Sequence, residues 1–166
     1  LGNHDYKKDP SGYIEIGKQN PLINYPNNFY LTKFGSLCFI ALDTSIFDKL
    51  YFFYKRRGQI NWLNSIIDSQ KDACEFSIGV AHHPFFSSGD RKNASPQLAN
   101  FLENYIFGAL DVYVTGHNHV LADEGDYLGT RQLITATGSL PGGSPESAPT
   151  GKFNVDTPGY LKMKFK

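Results

Sequence analysis

The sequence predicts a layered α/β fold, and three observations carry that prediction. Short runs of β-branched and aromatic residues alternate with segments of helical periodicity along the chain. A helical segment beginning after Ser95 lies between two such runs and suits a crossover joining parallel strands. Two of the histidine-bearing stretches follow directly on strand-like runs, so they should emerge together at one sheet edge. The chain's 166 residues, 40% of them hydrophobic, suffice for one domain core, and neither a second domain nor an internal repeat is evident.

The elements follow in order. Residues 6–28, rich in Pro, Asn and Gly, read as a long irregular segment. "NFYLTKF" and "SLCFIALDT" read as two strands of a hairpin turning at Gly35 and Ser36. In "RGQINWLNSIIDSQ", Ile60, Leu63, Ile66 and Ile67 recur at helical spacing and predict one buried face. Phe76, Ile78 and Val80 alternate as a strand that Pro84 closes just after His82 and His83. "ASPQLANFLENYIF" supplies Ser95 as N-cap, Pro96 as first helical residue, and Leu98, Phe101, Leu102 and Tyr105 on one side. Further strands are expected at Val112 to Thr115, Arg131 to Thr137 and Tyr160 to Phe165. The Gly, Ser and Pro run between the last two, residues 138–153, reads as a flexible loop rather than a domain linker.

All five histidines fall in three short stretches: "GNHD" at the start, "VAHHP", and "GHNH". Gly116 ends the strand before His117 and His119 by permitting a tight turn. A lone His-x-His pair is as well explained by a polar turn, but segregation of every histidine into three loops favours convergence on one site. Imidazole nitrogens with amide or carboxylate oxygens suit borderline metals such as zinc, iron or manganese.

"GNHD", "VAHHP" and "GHNH", in that order, resemble the later motifs of the metallophosphoesterase (calcineurin-like phosphoesterase) superfamily. The full length is similar to its tartrate-resistant purple acid phosphatase branch, a comparison strengthened by "YPNNFYLTKFGSLCFIALDTS", "QINWLNSII" and "TPGYLKMKF". The resemblance implies the later half of a sandwich of two mixed β-sheets flanked by helices. The family's earlier motifs, which bring the bridging aspartate, do not occur, so residues 1–166 are expected to form a partial catalytic domain that by itself lacks normal activity.

The resemblance also implies roles. Asn3, His82 and His117 would bind one metal and His119 the other, in a centre of two ions, iron with iron, zinc or manganese. His82 and His83 compete for one ligand place. His82 is preferred because family members put the ligand two residues before the proline, leaving His83 to pack or bond nearby. His4 matches the histidine that positions phosphate or protonates the leaving group. Asp5 either orients His4 or a nearby backbone group, or caps a turn.

The remaining features read more blandly. Equal numbers of acidic and basic residues, 16 of each, argue against a broad nucleic-acid binder. No apolar run is long enough to cross a bilayer. Cys38 and Cys74 lack zinc-ribbon spacing and read as buried thiols beside strands, with a disulfide left open. Lys55, Arg56 and Arg57 are either a substrate-tail contact or a solvated cluster; Tyr51 to Tyr54 are either a cleft wall or loop packing. "NAS" at Asn93 matches a glycosylation acceptor, but Pro96 follows it. A secreted or periplasmic location is compatible with the resemblance, while the residues themselves leave the compartment and the oligomeric state open. The expected function is hydrolysis of small phosphate monoesters, with phosphodiesterase activity or a noncatalytic binding module as alternatives.

Overall fold

The computed structural model describes residues 1–166 except 8, 21, 24, 48–51, 71–72, 89–92, 139–150 and 166. Its centre is a seven-stranded mixed sheet: β1 (Tyr30–Phe34), β2 (Leu37–Ala41), β3 (Phe76–Val80), β4 (Val112–Thr115), β5 (Leu121–Tyr127), β6 (Thr130–Thr135) and β7 (Phe153–Val155). The strand order is β1-β2-β3-β4-β6-β5-β7. Strands β2, β3, β4 and β6 are mutually parallel, so their carboxyl ends meet at one edge of the sheet. The predicted α/β class is observed.

Helix α2 (Phe53–Gln70) begins four residues before the predicted stretch, and α3 (Pro96–Tyr105) starts at Pro96 as its cap predicts. The Ser95 side chain accepts from Leu98 N at 3.5 Å, a long contact that adds to the φ-fixing effect of Pro96. Leu98, Phe101 and Leu102 of α3 and Leu63 of α2 bury against Ile40, Leu42 and Tyr113 in the main core, with Ile60, Ile66 and Ile67 partly buried beside them. This helical layer fixes the strands that carry the histidines. Among the described residues no helix is long and apolar enough to cross a membrane.

Several expectations are corrected. Residues 6–28 contain a helix, α1 (Ser11–Gln19), which buries no side chain. Asp9 starts it by accepting from Ser11 N at 2.9 Å and the Ser11 hydroxyl at 2.7 Å. The strand predicted over Arg131 to Thr137 is β6, ending at Thr135. No strand forms at Tyr160 to Phe165. The acidic run "LADEGDY" instead forms β5, which pairs with β6 through a two-residue turn. Leu128 and Gly129 both have positive φ, 51° and 87°, as a type I′ hairpin turn requires. β7 takes the other edge of β5, and Phe165 near the end packs against Phe76 of β3 with ring centroids 5.0 Å apart. Most of the predicted flexible loop falls at residues 139–150, outside the described residues.

Cys38 and Cys74 are not thiols: they form a disulfide, with Cα atoms 5.6 Å apart. Cys38 lies on β2 and Cys74 just precedes its parallel neighbour β3, which brings the two backbones within bridging reach.

Candidate metal centre

The residues after three adjacent parallel strands build the site: Asp43 and Thr44 after β2, His82 and His83 after β3, His117 and His119 after β4. Backbone bonds continue past the strand ends, from Ala81 N to Val114 O at 3.0 Å and from Gly116 N to His82 O at 3.1 Å. They lock the two histidine loops in register. The first residues of the chain complete the site from the side.

Asn3 and His82 are joined by Asn3 Oδ1 and His82 Nε2 at 3.0 Å, and His117 Nδ1 lies 3.0 Å from the same Nε2. His82 Nε2 thus faces an amide oxygen and a second imidazole nitrogen, each able to offer a lone pair. A metal ion would satisfy all three lone pairs, so the residues fit such an ion. Burial, and the neighbouring His83 and His117 imidazoles, push the His82 imidazole down to about 3. His82 is thereby held neutral, the form that binds a metal.

Gly2 explains itself in this geometry. A Cβ there would lie 2.9 Å from His82 Cε1 and Nδ1, so only glycine lets the N-terminal turn close against the ring. Asp5 secures that turn by accepting from Gly2 N at 2.8 Å and from the Tyr13 hydroxyl at 2.8 Å. Burial pushes the Asp5 carboxyl up, but these two bonds prevail and leave it below the usual carboxylate range. Asp5 thus both orients a backbone group and caps a turn.

His117 and His119 have φ of 69° and 52°, in the left-handed region where a non-glycine residue costs roughly 1–3 kcal/mol. Glycine would lie there more cheaply, which points to a use for the side chains. His119 is half-buried and stands outside the group of His82, His83 and His117, whose ligand atoms lie within 4.8 Å of one another. His4 is exposed, its Nδ1 3.5 Å from Lys7 Nζ.

His83 is 6% exposed, and its Nδ1 lies 3.0 Å from Thr44 Oγ1. Asp43 is buried beside Thr44 and accepts a hydrogen bond from the Tyr6 hydroxyl, while burial pushes its carboxyl up. Sequence reasoning passed over Asp43, Thr44 and Gln132. The first two stand directly after a strand, as the histidines do, which was an available signal. Gln132 had none: its Oε1 accepts from Phe85 N at 2.9 Å and Phe86 N at 3.1 Å, and its Nε2 donates to Phe86 O at 2.7 Å. This buried amide holds the chain just past His83 and Pro84. Glu124 extends the hold, accepting from Ser88 N at 3.0 Å and the Ser88 hydroxyl at 2.6 Å.

Of the cation cluster, Lys55 and Arg57 are exposed and Arg56 is half-buried, and Lys55 Nζ lies over the Tyr6 and Phe52 rings at 5.7 and 5.2 Å. Phe52 is half-buried, whereas Phe53 and Tyr54 are exposed; Tyr51 lies outside the described residues. A cleft of about 420 Å³ opens over the histidines, lined by Asn3, His83 and His117 and walled by Asn93 and Ser95 before α3.

Comparison with known proteins bears on the family and the fold. The chain is 28% identical over 148 residues to a serine/threonine-protein phosphatase, UIS2, of Plasmodium berghei (strain Anka), covering 73% of this chain and 11% of that protein. It is 23% identical over 157 residues to purple acid phosphatase 7 of Arabidopsis thaliana, covering 84% of this chain and 47% of that one. The chain therefore spans less than half the length of either relative. In fold it resembles GAP50, described as the anchor in the inner membrane complex of Plasmodium, with TM-score 0.74 and 21% identity over 94% of this chain and 54% of that one. It also resembles a dimetal phosphatase from Danio rerio, with TM-score 0.58 and 13% identity over 94% and 68% of the respective chains. The family profile described as calcineurin-like phosphoesterase matches residues 1–121, the span that carries all three histidine stretches, and the chain belongs to that family.

Proposed function

We propose that the chain forms the later part of a catalytic domain that hydrolyses small phosphate monoesters, as acid phosphatases do, through a dinuclear metal centre in the complete protein. Asn3, His82 and His117 hold one metal in this reading and His119 the other, with iron paired with iron, zinc or manganese. The observation that carries it is the convergence of Asn3 Oδ1, His82 Nε2 and His117 Nδ1, two 3.0 Å contacts with His82 at the centre. Bound metals would polarise the phosphoryl oxygens and lower the pKa of bound water.

The chain's own residues do the rest. Neutral amide and imidazole donors leave the site's positive charge undiminished, which favours a phosphate dianion. The cleft admits a small phosphorylated group beside them. His4, next to Asn3 and exposed to solvent, is the residue assigned to orient the phosphate or give a proton to the leaving oxygen. The Cys38–Cys74 disulfide supports a secreted or periplasmic location, since such bridges persist in oxidising compartments.

The test compares the 166-residue chain with one extended upstream, measuring metal stoichiometry and phosphate release from p-nitrophenyl phosphate and its bis ester. Two metals and monoester turnover in the extended protein are expected. Preference for the bis ester would make it a phosphodiesterase, and metal binding without turnover of either ester would leave a noncatalytic module.

A further inference from the structure

We propose that His83 is itself a metal ligand, so that His82, His83 and His117 hold one divalent cation as a three-imidazole set, with Asn3 beside it. This rests on the metal-centred reading above and changes its ligand count.

The rings form a nearly equilateral triangle. Centroids lie 4.7 Å apart for His82 and His83, 4.6 Å for His83 and His117, and 4.9 Å for His82 and His117. The ligand atoms of all three lie within 4.8 Å of one another. Zinc binds imidazole nitrogen at roughly 2.0–2.1 Å, so two ligands of one tetrahedral ion stand about 3.4 Å apart. Even a gap of 4.8 Å therefore closes with about 1.5 Å of movement shared between two side chains.

His83 also has the surroundings of a ligand. Metal-bound imidazoles usually give their second nitrogen to an oxygen that fixes ring rotation and tautomer. Thr44, fully buried, stands 3.0 Å from Nδ1 and accepts from it in the tautomer that carries the proton there. Nε2 is then the nitrogen this ring would bring to a metal. The backbone is fixed as firmly: His83 N donates to Thr44 Oγ1 at 3.1 Å, and the Tyr113 hydroxyl donates to His83 O at 2.8 Å. Packing alone would be served by an apolar ring in this buried place. Three neutral imidazoles are a ligand set that zinc takes, and the Asn3 oxygen beside them would complete four donors.

The ligands can be counted directly. The full chain, labelled with ¹⁵N-histidine and loaded with ¹¹³Cd²⁺, should show cadmium–nitrogen coupling to the imidazoles of His82, His83 and His117. In parallel, zinc affinity is measured by competition with a chromogenic chelator for the natural chain and for His83→Phe. That variant should lose at least about tenfold in affinity, the lower bound expected even for residues that only support a ligand. Thr44→Val should lose less, and circular dichroism checks that both remain folded. Coupling at His82 and His117 but not His83 would overturn the assignment of His83 while sparing the metal-centred reading. Failure of both this chain and the upstream-extended protein to bind any metal would overturn both. Should His83→Phe not fold, the coupling pattern of the natural chain decides alone.

Discussion

His82 Nε2 and His117 Nδ1 meet at 3.0 Å although 35 residues separate them in the chain. The contact follows from parallel pairing of β3 with β4, which sets Val80 opposite Val114 and so carries the two loops forward side by side. If both nitrogens serve one metal, His117→Ala should lower zinc affinity by about a hundredfold or more, judged against the ten- to hundredfold typical of supporting residues. His119→Ala should leave this first site nearly unchanged, because His119 stands outside the cluster. Isothermal titration of the two variants checks the contrast; equal losses would show that the two histidines share one ion.

Gly2 is predicted to tolerate no side chain. In Gly2→Ala the new methyl would meet the His82 ring at 2.9 Å, so either the ring or the N-terminal turn must move. Such overpacking costs typically about 1–3 kcal/mol. The metal affinity should fall with the stability, whereas Gly12→Ala, where nothing lies within 4 Å, should leave the affinity unchanged and slightly raise stability as a helical Gly-to-Ala change. Thermal melts and zinc titration of the pair provide the measurement.

The metal-free protein should lose stability as pH falls below neutrality. The His82 imidazole titrates at about 3 in the folded chain, against about 6.5 in an unfolded one. Between those values the unfolded state takes up a proton that the folded state refuses, so acid favours unfolding. The contribution is fully present above about pH 6.5 and is lost progressively toward pH 3. Urea melts across this range should show the loss diminished in His82→Phe; an unchanged pH dependence in that variant would place the effect elsewhere.

Reduction of the disulfide should destabilise the fold without touching the histidines directly. The bridge closes a sequence separation of 36, for which chain-entropy reasoning gives about 4 kcal/mol. A clear fall in melting temperature is expected with dithiothreitol, and the paired variant Cys38→Ala with Cys74→Ala should reproduce it. Zinc bound to the folded state should offset part of that fall in proportion to its concentration. A melting temperature unaffected by reduction would show that the sheet holds this corner unaided.

Local physics made part of this molecule legible from residues alone. Ser95 and Pro96 announced the start of α3, the apolar spacing from Ile60 to Ile67 announced the face of α2, and the turn at Gly35 announced the hairpin of β1 and β2, because caps, periodicity and turns involve near neighbours. The position of His82, His83, His117 and His119 after strand-like runs likewise placed that chemistry at one sheet edge. Tertiary structure decided what distance along the chain conceals. The acidic run from Leu121 to Tyr127 became a strand only because β6 and β7 offered it partners. Cys38 became half of a disulfide only because β2 and β3 lie side by side, and Gly2 became obligatory only because a ring 80 residues away packs upon it. The grip of Thr44 on His83, and of Gln132 on Phe85 and Phe86, are likewise non-local contacts. No local pattern encodes such pairings; they exist once the sheet has ordered its strands and brought distant side chains within hydrogen-bond reach.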